Sequence, residues 1–171
     1  MITFNDLKEM RRANKEARKA SVRRVRESAS KLLSVYVESL QFPDEFLKDV
    51  RSEYYPYVYI QDIHPRTGDG INCKPTELTV DPANRIEFIL FTVTDDNPDN
   101  LQHERLNIAI GIIDDGIEII VKAEQAGSFH PVDSEENYSE ICEFIKENIL
   151  ISMSGNYFGT SQESESVSLW D

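Results

Sequence analysis

Residues 106–124 read LNIAIGIIDDGIEIIVKAE, two apolar, largely β-branched runs hinged on Asp114-Asp115-Gly116. Isoleucine and valine suit a pleated, half-buried strand, while aspartate and glycine tolerate the positive φ of a tight reversal. Leu106 to Ile113 and Ile117 to Glu124 are therefore expected to pair as an antiparallel hairpin.

Further strand signals lie upstream at Tyr55–Ile63, Glu77–Val80 and Arg85–Thr94, where β-branched and aromatic residues concentrate. Asp81-Pro82-Ala83-Asn84 reads as a turn between the second and third of these, which favours a meander over parallel βαβ units. Downstream, Ser134 with Glu135 and Glu136 announces a helix that places Tyr138, Ile141, Cys142, Ile145 and Ile149 on one face, suited to covering the sheet.

The N-terminal third is helical in pattern. Thr3 can cap the chain with Asp6 completing a capping box, and Ile2 and Leu7 occupy hydrophobic-staple positions. Alanines and long charged residues carry the helix to about Leu40, with an apolar stripe (Leu7, Ala17, Val22, Val25, Ala29, Leu32, Tyr36, Leu40) that thickens toward its end. Its second half should dock on the body and its first half project or pair as a coiled coil. Phe42-Pro43-Asp44-Glu45 suggests a break and a short second helix ending before Tyr54.

The expected fold class is α+β: a long N-terminal helix, an antiparallel meander of about five strands, a C-terminal helix packed on the sheet and a disordered acidic tail. The expected division is a basic helical extension at 1–31, a single domain at 32–160 and a flexible tail at 161–171.

Charge is segregated within the net −13: ten Lys or Arg against four acids give residues 1–31 a charge of +6, leaving −19 on the other 140 residues. Lys8, Arg12, Lys15, Lys19, Arg23 and Arg26 recur every three or four positions, which gathers them on one helix face able to track phosphates. No aromatic residue between Lys8 and Lys31 offers a base-stacking platform, so base reading is not expected there. The competing reading is a solvated face, or one neutralised by the acidic body or a dimer mate.

The acids suggest a phosphate-mimicking surface at Asp95, Asp96, Asp99, Asp114 and Asp115, although acids at turns also serve local needs. The apolar tip Leu169-Trp170-Asp171 of the acidic tail is a second candidate for engaging a partner.

Chemistry is not legible. Cys73 and Cys142 are isolated, as are His64, His103 and His130, so neither a zinc site nor a cysteine nucleophile is spelled out. Asp95 to Asn100 lacks the ligand spacing of a calcium loop, Gly68-Asp69-Gly70 is a turn rather than a phosphate cradle, and Glu118 and Lys122 are too far apart for a nuclease strand. No catalytic set, metal or cofactor is expected. Met1 to Asp6 lacks a signal-peptide pattern and no run spans a bilayer, so a cytoplasmic chain without membrane contact is expected. The functional expectation is a non-enzymatic interaction module, an inhibitor, immunity-type protein or accessory subunit acting on a nucleic-acid-handling partner. The alternative is nucleic-acid binding through residues 8–31, with homodimerisation through the same helix.

Overall fold

The computed structural model describes residues 2–43, 47–48, 54–64, 67–97 and 99–159. Helix α1 spans Phe4–Leu40, and its start is the expected capping box: Thr3 Oγ1 accepts from the Asp6 amide at 3.3 Å while Asp6 Oδ2 accepts from the Thr3 amide at 2.7 Å. The Thr3 amide foremost, and then the Thr3 hydroxyl, which donates to Asp6 Oδ2 at 2.7 Å, hold the Asp6 carboxyl below its ordinary 3.8. A depressed carboxylate contributes above its ordinary value, so the cap is lost as pH falls below that range.

Among the described residues eight strands follow: β1 Leu47–Lys48, β2 Tyr54–Tyr55, β3 Val58–Ile63, β4 Gly70–Cys73, β5 Ile86–Asp95, β6 Gln102–Ile113, β7 Gly116–Lys122 and β8 Gly127–Phe129. Helix α2, Glu135–Gly159, closes the described chain, and Ser134 Oγ accepts from the Asn137 amide at its start. Strands β1 and β2 form a small pair. The others make one antiparallel sheet in the order β4-β3-β5-β6-β7-β8.

The hairpin that decides the fold forms as its sequence requires. Ile113 pairs with Gly116, and Asp114 and Asp115 take φ of 46° and 61°, the double positive φ of a two-residue reversal. Alternation then sends Ile86, Phe88 and Leu90 of β5, Leu106, Ile108 and Ile110 of β6, and Ile117, Ile119 and Val121 of β7 into one core. Both helices cover that face, with Val25, Ala29, Leu32 and Tyr36 from α1 and Tyr138, Ile141, Cys142, Ile145 and Ile149 from α2. Burial of α1 begins at Val25, and the helix from Phe4 to Ala20 is exposed on every side.

Three local expectations are corrected. Glu77–Val80 is not a strand: Pro75–Glu77 forms a single 3₁₀ turn and Leu78 drops into the core beneath α1. The chain there is crossing from β4 to the far side of β3, so the turn at Asp81–Asn84 leads into β5 without joining two paired strands. The expected strand at Tyr55–Ile63 is split between β2 and β3, with Pro56, which lacks a donor, between them. The short second helix is also displaced. Leu47 and Lys48 pair with Tyr55 and Tyr54, and Leu47 is buried, while 44–46 and 49–53 lie outside the described residues.

Two hydroxyl pairs tie the helices into the core: Tyr36 to Thr92 and Ser28 to Tyr138, each at 2.9 Å. Burial pushes the Tyr36 phenol up to about 12, against the pull of the Thr92 hydrogen bond. Its contribution to stability is complete below the ordinary value of 10 and disappears as pH rises through about 12. Tyr36→Phe should cost about 1–3 kcal/mol in urea unfolding because it leaves the Thr92 hydroxyl buried without its partner. Adding Thr92→Val should recover part of that loss.

Candidate cationic docking face on the first helix

The six cations at Lys8, Arg12, Lys15, Lys19, Arg23 and Arg26 form one continuous row, since spacings of three and four keep them on one side of α1. Eighteen residues at 1.5 Å each give the row a length of about 27 Å. Five of the six are exposed, and Arg26 is half-buried. At the docked end the row opens into a cleft of about 540 Å³, where Lys15, Lys19, Arg23 and Arg26 meet Val22 and Thr76.

The helix is fixed to the body by arginines whose acceptors are neutral. Arg26 donates from Nε and Nη2 to the Leu78 carbonyl at 3.0 and 2.8 Å. Arg18 donates to the carbonyls of Pro82 and Asp81 at 3.2 and 3.3 Å and to Asn84 Oδ1 at 3.4 Å. Arg24 donates to the Asp115 carbonyl. A carbonyl satisfies a guanidinium donor without cancelling its charge, so these contacts leave the face cationic.

Carboxylates do little more. Lys19 pairs with Glu16 at 2.8 Å and Arg23 with Glu27 at 3.8 Å, both exposed and within the helix, where such pairs are worth about 0.3–0.5 kcal/mol. Among the described residues, the body reaches an α1 cation with a carboxylate at one place, Glu135 to Lys31 at 3.8 Å. Lys8, Arg11, Arg12 and Lys15 have no ion pair among the described residues.

No family model, curated protein or solved structure matches this chain. The candidate site therefore rests on the geometry of α1 and on what the remaining residues are engaged in.

The acidic candidates do not converge. Asp95 ends β5 and Asp96 and Asp99 follow it, whereas Asp114 and Asp115 turn between β6 and β7 at the opposite end of the sheet, a strand length of about 35 Å away. Asp95 Oδ1 accepts from the Asn97 amide at 3.0 Å, a local turn contact. Lys122 pairs with Glu87 at 2.6 Å, and Glu118 accepts from Ser128 Oγ at 3.0 Å, so these strand charges serve cross-strand contacts. Leu169, Trp170 and Asp171 lie outside the described residues.

His103 lies edge-on to Phe91 on the sheet face away from the helices, His130 Nε2 bonds the Ile113 carbonyl at 2.9 Å, and His64 Nδ1 contacts Thr67. No group of three or more His, Cys, Asp or Glu among the described residues is placed to hold a metal ion, and no described helix is long and apolar enough to cross a membrane. Burial raises both thiols, Cys73 modestly and Cys142 to about 11. Cys142 is fully buried, so a disulfide reagent at neutral pH should modify Cys73 slowly and Cys142 only after unfolding.

Sequence reasoning missed the anchoring role of Arg18 and Arg26 and the cleft beside Thr76. Part of that signal was present: Arg18, Val25 and Leu32 are spaced by seven and share the row that docks. The carbonyls that Arg18 and Arg26 reach are set in place by the crossover from β4 to β5 through Leu78, which no local pattern announces, although the turn at Asp81 was itself legible.

Proposed function

We propose that this protein is a non-enzymatic interaction module that engages a polyanion through the cationic row of α1, the backbone of duplex nucleic acid being the surface that row fits best. One observation carries the reading: a row of cations about 27 Å long on a continuous helix, fixed to its body through neutral carbonyls and, among the described residues, paired with carboxylates only at Lys19 and Arg23, both times by glutamates of the helix itself. Lysine and arginine without interleaved aromatics suit phosphate contacts that position a protein without reading bases. Such a module would act as an accessory subunit of a nucleic-acid-handling assembly.

A second reading keeps the partner a protein. The charge of −19 outside residues 1–31 favours an inhibitor or immunity-type protein that presents acids to a basic groove. Anisotropy of a labelled duplex, titrated with the intact protein and with R12E/K15E/K19E/R23E, separates the two. Binding that is lost with the reversal supports the nucleic-acid reading. Equal binding by both chains, or no binding by either, rejects it.

A further inference from the structure

We infer that the cleft at the docked end of the row seats the terminal phosphate of a strand, so that the protein holds a nucleic acid by its end; the inference rests on the phosphate-tracking role proposed above. Five cations line that concavity, Lys15, Arg18, Lys19, Arg23 and Arg26, with one carboxylate among them, Glu27. Glu27 pairs with Arg23, and Glu16 with Lys19, and setting those two acids against the five cations still leaves +3. The other wall is the body's: Thr76, in the 3₁₀ turn between β4 and β5, brings its hydroxyl to the cleft. Arg26 is held in place by the hydrogen bonds from Nε and Nη2 to the Leu78 carbonyl, which leaves Nη1 for a ligand.

The course of the row, the shape of the body and the charge of the ligand all select an end over mid-strand. On the same side of α1 the positions after Arg26 are Ser30, Ser34 and Val37, so the row of cations stops at the cleft. The body intervenes at the same place. From Phe4 to Ala20 the helix is open on every side, whereas beyond it the 3₁₀ turn and the sheet pack against α1, and a backbone that follows the row meets them at the cleft. A phosphodiester inside a strand carries one negative charge, while a terminal monoester carries about 1.5 to 2 at pH 7 and has three acceptor oxygens. The place where cations are densest therefore gains most from an end. The guanidinium groups of Arg23 and Arg26, with the Thr76 hydroxyl, are the donors that such a group requires.

Anisotropy of one short labelled duplex tests this with the full chain at 0.15 M salt. The duplex is prepared with 5′ phosphates, with 3′ phosphates, with hydroxyl ends, and with both ends closed by hairpin loops. One further phosphate contact is worth about 0.7 log unit at that salt, so a phosphorylated duplex should bind about fivefold more tightly than the hydroxyl-ended one. Closed ends should give no gain over hydroxyl ends. Thr76→Glu sets a carboxylate in the cleft and leaves every cation of the row in place, so it should reduce the preference to within about twofold, with urea unfolding as the check on its fold. Equal affinity for all four duplexes overturns the inference and leaves the tracking row standing, whereas binding of none overturns both. A preference that Thr76→Glu leaves intact puts the end elsewhere and overturns the inference as well. So does a phosphoserine peptide that displaces the duplex at a lower concentration than a phosphorylated single strand, since that result assigns the cleft to a phosphoprotein.

Discussion

Reversing Arg12, Lys15, Lys19 and Arg23 to glutamate is expected to lower duplex affinity about a thousandfold at 0.15 M salt. Each phosphate contact releases about 0.9 counterion, which at that salt contributes roughly 0.7 log unit, and four lost contacts multiply to about three logs. The reversed charges then repel the duplex as well. All four residues are exposed and none of their side chains hydrogen-bonds the body among the described residues, so the folded core should be unchanged. Circular dichroism and urea unfolding check that premise, because a loss of binding with intact helix and midpoint belongs to the charges alone. Reversing Arg26 would not be equivalent. Its guanidinium holds the Leu78 carbonyl, so the change would disturb docking and charge together.

The largest effect on stability should come from Phe88→Ala. Phe88 is fully buried on β5, an interior strand of the sheet, and faces the core that both helices cover. Truncating a buried phenylalanine costs about 3–5 kcal/mol, the lost transfer energy plus the cavity left behind. Domains have about 5–15 kcal/mol in total, so the variant should unfold at a much lower urea concentration or fail to accumulate. Leu150→Ala on the outer side of α2 is the control: Leu150 is 62% exposed, and a loss within about 0.5 kcal/mol is expected. Comparable losses at the two positions would mean that the sheet face under the helices is not the main core.

The hairpin and the helices were legible because their signals are local. Asp114-Asp115-Gly116 contains residues that accept positive φ between β-branched runs, and Thr3 and Asp6 satisfy each other's amides three residues apart. β4 was not legible, since Gly70-Ile71-Asn72-Cys73 has neither alternation nor β-branched density and becomes a strand by pairing with β3, Cys73 opposite Ile60. The stretch through Leu78 carries strand-like residues but is occupied in crossing the sheet, with Thr79 bonded through its amide and hydroxyl to Asp62. Tertiary pairing overrode local preference in both places.

The candidate site divided along the same line. The cationic row follows from spacing alone, and the structure places all six of its residues on one helix face. Which cations are engaged by the body was not legible, because the acceptors are main-chain carbonyls whose positions arise only from the fold. The acidic residues that composition suggested as one surface are instead divided between opposite ends of the sheet.

The most direct measurement is the salt dependence of duplex affinity for the intact protein and for K15E/R23E. If five or six cations of α1 contact phosphates, log K should fall against log salt with a slope of about −4.5 to −5.5, and loss of two contacts should reduce its magnitude by about two. A slope no steeper than about −1, or one that the double substitution leaves unchanged, would contradict a phosphate-tracking helix.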